Sequence, residues 1–302
     1  MLLSETEDEQ GRRVAVYEHH QGGYRYESRV VTTNTPRLAP ILLIGGAFQR
    51  KEAWGRLEQQ LLTHADVVAV DPPGWGRADL LPPEADIDYL AETLRRLLDD
   101  LGLDRINIAG GSHGSATAFR FAQLYPDRLH RMVLIGAMTR IPETALTQLR
   151  ASLRLLSAGD MPRFAAATVG LFMNRSRQDD VADYQATERV LLRSCATATA
   201  EEVAKYIANT RRLMDQPMIP LVPAPSVPTL IATGEHDGFT SVEHCQELAE
   251  ACQDSWFAAI GGSDHMVHLE RGADLAELMI HFYASDAFAH LDACTLVKRV
   301  RP

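Results

Sequence analysis

The sequence has few of the features that identify secreted, metal-binding or membrane-spanning proteins. Its 302 residues include only four cysteines, Cys195, Cys245, Cys252 and Cys294, and no two of them form a CxxC pair. At this chain length, that scarcity argues against a disulfide framework and favours free or buried thiols in a reducing cytoplasm. No apolar run is long enough to span a bilayer, and the sequence contains no internal repeat or low-complexity segment.

Positive charge is also scarce. Lys and Arg total 30 against 40 Asp and Glu, which gives a formal charge of -10 and argues against nucleic acid or an anionic membrane surface as a partner. The N-terminus turns acidic directly after Met1-Leu2-Leu3-Ser4 and does not have the pattern of a signal peptide. We therefore expect a cytoplasmic protein, long enough for one large α/β domain with an insertion and a sizeable core.

The most informative stretch lies at residues 106–122. Apolar, β-branched residues predict a buried strand, a helical pattern follows from Ser115, and between them stands Gly110-x-Ser112-x-Gly114, the nucleophile-elbow pattern. A strand that turns at once into a helix forces its corner residue into a strained conformation, often with φ > 0. The residues two before and two after the corner then come close together, so glycine is favoured at both. The alternative is a glycine-rich turn with an incidental serine.

With this strand before the motif and this helix after it, the sequence resembles the α/β-hydrolase superfamily, in the serine hydrolase branch that has a helical cap. The resemblance extends from about Val14 to about Ser285. It implies an α/β fold with a mostly parallel central sheet flanked by helices. The domains expected from it are a core of residues 1–138 and 223–285, a helical cap of residues 139–222 and a C-terminal tail of residues 286–302.

The two ends of the chain are less constrained. The first dozen residues are polar and predict a loose terminus, whereas alternating patterns at residues 13–17 and 24–31 predict antiparallel strands joined by a turn at Gly22-Gly23. The tail extends beyond what the fold requires. The sequence leaves three possibilities for the tail: it docks on the body of the protein, it forms a contact in a homodimer, or it is disordered.

A glycine-containing loop follows the predicted strand at residues 40–44. Its sequence is Gly45-Gly46-Ala47-Phe48, where similar hydrolases have His-Gly-x, so that a glycine replaces the histidine of the family. The resemblance implies that an amide of this loop helps to bind the oxyanion, with Ala47 the first choice and Phe48 the second. The amide of His113 would be the other donor, and two such donors stabilise a tetrahedral intermediate.

The family's catalytic acid follows a later strand. Residues 234–237 match its Gly-x-x-Asp pattern, so the resemblance implies Asp237 as the acid, with Glu235 as the neighbouring alternative. An earlier aspartate, Asp71, begins a segment that resembles the family's Asp-x-Pro-Gly-x-Gly loop. We interpret Asp71 as a turn-forming residue, since aspartate readily bonds nearby backbone amides.

The family's catalytic base is expected in the loop that begins at Gly262. This loop resembles Gly-x-x-His-x-x-x-x-Glu and implies His265 as the base. Two neighbours are alternatives: His268 could pack or bond inside the loop, and Asp264 could cap the following helix. A metal site at His265 and His268 has no support from a cysteine or a further histidine cluster, so we expect neither a metal nor another cofactor.

Ser112, Asp237 and His265 occur in the chain order expected on this fold. The first hypothesis is hydrolysis of an ester, thioester or amide of a small, largely apolar acyl substrate, in which His265 deprotonates Ser112 and Asp237 orients His265. An acyltransferase, a C–C hydrolase or a cyclase could use the same triad, and acyl transfer would need water excluded and a second acceptor site. A non-catalytic ligand-binding protein is the third hypothesis.

Some side chains near the expected site have two interpretations. For His113 we favour packing beside the elbow over reaching the pocket. Apolar residues of the predicted cap are more typical of packing than of substrate contact, although we expect some of them to line the pocket; they are Phe164, Phe172, Met173 and Tyr184.

Overall fold

The computed structural model describes residues 1–215 and 219–301; residues 216–218 of the predicted cap and Pro302 of the predicted tail lie outside the described residues. Within that part of the chain, ten strands form one sheet in the order β1-β2-β3-β5-β4-β6-β7-β8-β9-β10. The strands are β1 (Leu2–Glu7), β2 (Arg13–Gln21), β3 (Tyr24–Val31), β4 (Ile41–Ile44), β5 (Val67–Asp71), β6 (Ile106–Gly111), β7 (Leu129–Ile135), β8 (Thr229–Gly234), β9 (Ser255–Ile260) and β10 (Cys294–Arg301).

Helices cover both faces of this sheet. They are α1 (Gly55–Leu61), α2 (Ile87–Asp100), α3 (His113–Leu124), α4 (Glu143–Ser157), α5 (Met161–Phe172), α6 (Tyr184–Ala196), α7 (Ala200–Asp215), α8 (Val242–Glu250), α9 (Val267–Glu270) and α10 (Gly272–Ala284). The mostly parallel sheet flanked by helices confirms the predicted fold class.

The six central strands, β4 to β9, are parallel to their neighbours within that group. Strand β4 is buried along its whole length, and its side chains alternate between two cores. Leu42 and Ile44 pack with residues of α2, α3 and α8, whereas Ile41 and Leu43 pack with residues of α1 and α10. The unbroken apolar run follows from this two-sided burial, because a strand covered on both faces has no side chain that faces water.

Both edges of the sheet are antiparallel. The prediction of a loose N-terminus was wrong, because Leu2–Glu7 forms β1, which pairs with β2. All six residues of β1 are exposed. Because the strand is held by backbone hydrogen bonds and buries no side chain, its sequence does not show the alternating apolar pattern of a half-buried strand. At the other edge, Cys294–Arg301 pairs with β9. The tail therefore docks on the body, which was one of its three open placements.

Helices α4 to α7 lie between β7 and β8. We call residues 139–215 the helical insertion. One face of α7 joins the insertion to the core: Lys205, Asn209 and Arg212, at helical spacing, are buried and donate hydrogen bonds of 3.0, 2.8 and 2.7 Å to backbone carbonyls of the loop 74–85. We call these three residues the α7 polar stripe. They hold the insertion beside the carboxyl ends of the strands.

Candidate active site

Ser112 occupies the corner between β6 and α3. Its φ of 48° and ψ of -114° lie outside the ordinary regions for a residue with a side chain. A Cβ atom on Gly110 would lie 2.6 Å from the carbonyl oxygen of Gly114, and one on Gly114 would lie 2.4 Å from the carbonyl oxygen of Ile44. Neither distance leaves room for a side chain. This crowding is the physical reason for both glycines of the motif.

Ser112, Asp237 and His265, from three separate segments, form one line of hydrogen bonds. His265 Nε2 lies 3.1 Å from Ser112 Oγ, and His265 Nδ1 lies 2.9 Å from Asp237 Oδ2. Ser112 follows β6, Asp237 follows β8 and His265 follows β9. Since parallel strands end at the same edge of the sheet, the fold brings together side chains that lie as far apart as 153 positions in the sequence.

The Asp237 carboxylate is held on both oxygens. Besides His265, Oδ2 accepts hydrogen bonds from the hydroxyls of Thr233 and Thr240, and Oδ1 accepts from the amides of Phe239 and Thr240 at 2.9 and 2.7 Å. Burial alone would raise its pKa, but the charge of His265 and these hydrogen bonds outweigh burial and lower the pKa to about 2. The group is therefore ionised at neutral pH and can stabilise a protonated imidazole.

The imidazole of His265 is fixed by aromatic rings as well. Phe172, from the insertion, stacks on it with centroids 5.2 Å apart, and Phe239 presents its edge at 5.2 Å. Burial lowers the pKa of His265, but the charge of Asp237, its hydrogen bond and the charge of Asp264 raise the pKa above 6.5 overall. The ring can therefore accept a proton at Nε2 while Nδ1 stays bonded to Asp237.

The alternatives named for the acid and the base have other contacts. Glu235 Oε2 accepts a hydrogen bond from the Gly262 amide at 3.2 Å. The carboxylate of Asp264 accepts from the amides of His265 and Asn174. The predicted helix-capping role of Asp264 was wrong, because Met266 precedes α9 and no side chain caps it. Instead, Asp264 joins the His265 loop to the insertion.

Asp71 forms the predicted kind of contact, since it bonds backbone amides around it. Its Oδ1 accepts from the Lys51 amide at 2.8 Å, and Oδ2 accepts from the Arg77 amide at 3.1 Å. The ammonium group of Lys51 lies 3.2 Å from Oδ2 and 2.9 Å from a Glu27 oxygen. Asp71 therefore organises the loop that follows β5, in a buried ion pair with Lys51.

The loop after β4 passes directly beside Ser112. A Cβ atom on Gly46 would lie 3.1 Å from Ser112 Cβ, and the Gly46 amide is already bonded to Gln49 Oε1 at 3.1 Å. Ala47 and Phe48 supply the next amides along the loop. Phe48 has a φ of 59°, and its ring stacks on Tyr206 of the insertion with centroids 4.4 Å apart. This contact compensates for a conformation that is strained in a bulky residue.

His113 is the first residue of α3, where backbone amides have no partner within the helix. Its side chain is buried and packs against the edge of Trp75, with centroids 4.6 Å apart. The Asn209 carbonyl approaches the ring, but within the described residues neither ring nitrogen has a partner in hydrogen-bond geometry. Burial and the charge of Arg212 lower the pKa of His113 to about 3, so the ring is neutral.

Two cavities meet at Ser112. The larger has a volume of about 540 Å³ and extends between the core and the insertion; the smaller has about 40 Å³. Phe172 lines both cavities. The other three apolar residues considered in the predicted cap, Phe164, Met173 and Tyr184, instead belong to the apolar clusters of the insertion. Sequence reasoning missed the lining residues Trp75, Gln49, Leu149, Tyr206 and Phe239.

Among residues 1–215 and 219–301, no group of three or more His, Cys, Asp or Glu side chains is arranged to hold a metal ion. The same described ranges contain no helix with the length and apolar character needed to cross a membrane. The four cysteines are free thiols, and only Cys294 is not fully buried.

Sequence comparison gives both a family and individual relatives. A model of the alpha/beta hydrolase fold matches residues 39–272. A 2-hydroxy-6-oxononadienedioate/2-hydroxy-6-oxononatrienedioate hydrolase of Paraburkholderia phymatum is 30% identical over 121 residues, which are 38% of this chain. That match spans only 42% of the relative's length. A 2-hydroxy-6-oxo-2,4-heptadienoate hydrolase of Pseudomonas putida is 26% identical over 274 residues, 82% of this chain and 90% of the relative.

Solved structures agree in fold. An enol-lactonase from Burkholderia xenovorans has a TM-score of 0.75 at 21% identity, covering 89% of this chain and 100% of its own. A thermophilic esterase from Thermogutta terrifontis has a TM-score of 0.73 at 24% identity, covering 91% and 98%. The matched family model covers most of the chain and its description agrees with the observed sheet. The resemblance is therefore confirmed, and the chain belongs to the alpha/beta hydrolase family.

Proposed function

We propose that the protein is a serine hydrolase that cleaves an ester, thioester or amide of a small, largely apolar molecule through Ser112, His265 and Asp237. The observation that carries this proposal is the continuous line of hydrogen bonds from the Ser112 hydroxyl through both nitrogens of His265 to a buried carboxylate, at 3.1 and 2.9 Å. A serine needs a base within reach and an acid that orients that base. The arrangement supports both roles.

In the proposed reaction, His265 Nε2 takes the proton of Ser112 as its oxygen attacks the acyl carbon. The resulting oxyanion is held by the amides of His113 and Ala47, with Phe48 as the alternative loop donor. When the intermediate collapses, the proton on His265 passes to the leaving group, and Ser112 keeps the acyl group. Asp237, with a pKa of about 2, remains ionised and stabilises the imidazolium throughout.

The large cavity is the proposed substrate site, with the helical insertion as its cap. Its wall includes the apolar side chains of Met138, Phe172 and Phe239, and its polar positions include Arg193 and Lys205. Its volume of about 540 Å³ falls within the usual range for small-molecule sites. An apolar acyl or alcohol group beside the nucleophile is consistent with this lining.

C–C hydrolysis is a second candidate, and one specific observation favours it. The Pseudomonas putida relative, matched over 90% of its length, is named for a 2-hydroxy-6-oxo-dienoate substrate. Such a molecule carries a carboxylate, and the cationic residues in the lining of the large cavity are Arg50, Arg77, Arg193 and Lys205. Arg50 is paired with Glu202 and Lys205 with Glu201, so Arg77 and Arg193 are the candidates to bind the carboxylate. The triad would be the same, so the two candidates differ in the substrate accepted and in the bond that is cleaved.

A burst experiment tests the nucleophile. Mixing the protein with excess p-nitrophenyl butyrate is expected to release one equivalent of p-nitrophenol rapidly, followed by a slower steady phase. Ser112→Ala should abolish the burst and keep the circular dichroism spectrum, whereas Ser157→Ala, a change at an exposed serine of α4, should leave the burst unchanged. A burst of normal size in Ser112→Ala refutes the assignment. Parallel assays with 2-hydroxy-6-oxo-2,4-heptadienoate decide between ester and C–C hydrolysis.

A further inference from the structure

Thr240 contacts both the acid and the base of the triad. Its hydroxyl donates to Asp237 Oδ2, and the same oxygen, Oγ1, lies 3.1 Å from His265 Nδ1. The backbone amide of Thr240 also donates to Asp237 Oδ1, at 2.7 Å. Thr240 is only 1% exposed, so bulk water has little access to these contacts. A single buried hydroxyl therefore lies at the junction between His265 and Asp237.

The oxygen Oδ2 of Asp237 has more donors than lone pairs. The Thr233 hydroxyl at 2.8 Å, the Thr240 hydroxyl and His265 Nδ1 at 2.9 Å all lie within hydrogen-bond distance of it. A carboxylate oxygen offers about two lone-pair sites, so the three donors share its charge and each weakens the bonds of the others. Thr233 has a second acceptor in the Thr240 carbonyl at 3.3 Å. For the Thr240 hydroxyl, the second polar neighbour is the base itself.

The position of the proton on His265 decides what the Thr240 hydroxyl can do. Nε2 can accept the proton of Ser112 only when the neutral ring has its own proton on Nδ1. A protonated Nδ1 cannot accept from Thr240, so the hydroxyl donates to Asp237 and leaves its oxygen as a second acceptor beside the Nδ1 proton. With the proton on Nε2, the hydroxyl would be free to donate to Nδ1. The charge of Asp237 favours the first arrangement, because hydrogen bonds to a carboxylate are the stronger ones.

Aromatic packing leaves rotation within the ring plane of His265 to these polar contacts. Phe172 lies nearly parallel to the ring, at an interplanar angle of 19°, and Phe239 meets it at 90°. A ring stacked in this way resists tilting but can still turn within its own plane. Gly136 supplies no side chain here, since a Cβ atom on it would lie 3.1 Å from both Thr240 Oγ1 and His265 Cε1. The direction of Nε2 toward the nucleophile is therefore set by the acceptors at Nδ1.

We propose that Thr240 is a positioning residue of the triad: its hydroxyl oxygen and Asp237 Oδ2 together hold the Nδ1 proton of His265, which keeps the ring in the productive tautomer and directs Nε2 at Ser112. This assignment rests on the proposed serine hydrolase function. In this role Thr240 neither binds the substrate nor transfers a proton. Its removal should therefore change the bond between acid and base and leave the binding of substrate as it is.

The first experiment measures the bond between acid and base by NMR. In full-length protein with isotope-labelled histidine, the Nδ1 proton of His265 is recorded below pH 6.5, where the ring is protonated, and is assigned by its absence from His265→Gln. Thr240→Val nearly keeps the side-chain volume but removes the hydroxyl, so Oδ2 loses a competing donor and the Nδ1 proton loses its second acceptor. Both changes strengthen the bond from Nδ1 to Oδ2, and the proton resonance should move downfield. Thr240→Ser, which keeps the hydroxyl, should leave the resonance close to its original position.

A second buried threonine of the large cavity provides the matched control. Thr210, on α7, lines that cavity and is 4% exposed, but the partners of Asp237 and His265 described above do not include it. Thr210→Val should therefore leave the resonance of His265 unmoved. An unmoved or upfield resonance in Thr240→Val would overturn the assignment. If Thr240→Val does not fold, Thr240→Ala takes its place with the same expected direction, because it also removes the hydroxyl.

The second experiment separates positioning from substrate binding. With p-nitrophenyl butyrate, Thr240→Val should lower kcat by about tenfold and leave KM nearly unchanged, and Thr240→Ser should recover most of kcat. An equal loss of kcat in Thr240→Ser and Thr240→Val, or a change confined to KM, would contradict the positioning role. The absence of Ser112-dependent release in the unmodified protein would instead overturn the proposed function. The resonance of His265 needs no substrate and would still decide whether Thr240 acts on the bond to Asp237.

Discussion

The core and the helical insertion hold their parts of the site in different ways. In the core, Ser112 is fixed by backbone crowding, and the carboxylate of Asp237 is bonded on both oxygens. The insertion contributes its wall mainly through ring contacts, such as Phe172 on His265 and Tyr206 on Phe48. The difference indicates that the core determines the chemistry and the insertion determines the shape of the cavity, as expected where one fold serves many substrates.

The largest effect should come from the core. Asp237→Asn removes the charge that stabilises protonated His265, and kcat for p-nitrophenyl butyrate should fall by about 10⁴-fold. The matched control is Glu235→Gln, two positions earlier, whose carboxylate accepts from the Gly262 amide and lies 3.7 Å from His236; this variant should retain nearly full kcat. If Glu235→Gln lost as much activity as Asp237→Asn, the acid would be assigned to the wrong residue.

A backbone constraint in the core gives the next effect. Gly114→Ala would place a Cβ atom 2.4 Å from the carbonyl oxygen of Ile44, and β4 would have to move away from α3. We expect a loss of about 3 kcal/mol in the free energy of unfolding, measured by urea denaturation. Gly170→Ala, in α5 of the insertion, has no atom within 4 Å of the added Cβ and should be neutral or stabilising. Equal losses in the two variants would contradict the difference between core and insertion.

The α7 polar stripe provides a smaller, local effect. Arg212 donates to the carbonyls of Leu81, Pro82 and Ala85. The Pro82 carbonyl also accepts from the Ala85 amide, so Arg212→Met would remove the side-chain donor of the other two. We expect a loss of about 2 kcal/mol in unfolding free energy and a higher KM, because the insertion would be held less firmly, with kcat changed less than by Asp237→Asn. Arg211→Met, at the exposed neighbouring position, is the control. A large fall in kcat with unchanged KM would mean that the stripe acts on the chemistry.

The smallest effect concerns pH. The pKa of His265 is raised above 6.5, and the ring must be neutral to accept a proton, so kcat/KM should fall as the pH decreases through a value above 6.5. The same shift should stabilise the folded protein: its contribution is fully present below pH 6.5 and is lost as the pH rises through the folded-state pKa. The pH profile of kcat/KM and urea denaturation at several pH values measure these two effects. If kcat/KM instead began to fall only below pH 6.5, the pKa of His265 would not be raised, and that result would contradict its pairing with Asp237.

Local patterns in the sequence predicted most of the fold. The central strands are unbroken apolar runs and the helices have periodic apolar positions, so both patterns are visible in the sequence; α2, for example, buries Leu90, Leu94 and Leu97 at helical spacing. Strand β1 was missed because every one of its residues is exposed and its pairing depends on the backbone alone. Docking of the tail could not be decided, since β10 has few fully apolar positions and the acceptor edge of β9 is distant in sequence.

The site, like the fold, has one part that the sequence predicts and another part that it does not. Ser112, Asp237 and His265 follow strands and lie in short motifs, and the structure brings all three into contact. Thr240 could have been suspected, since a hydroxyl three positions after an aspartate is well placed to bond it. Phe172 and Tyr206 carry no such local signal, because their contacts depend on how the insertion folds back over the core. Identifying the residues of the cavity walls therefore required the three-dimensional structure, whereas the triad could be predicted from the spacing of residues within short sequence motifs.

Labelling with a fluorophosphonate tests the reactivity of Ser112 most directly. The full-length protein, incubated with the probe at pH 8, is digested and its peptides are identified by mass spectrometry. We expect one adduct per chain, on the peptide that contains Ser112, with labelling lost in Ser112→Ala and strongly slowed in His265→Ala. An unlabelled protein, or an adduct on a different serine that persists in Ser112→Ala, would contradict a nucleophile built from Ser112, His265 and Asp237.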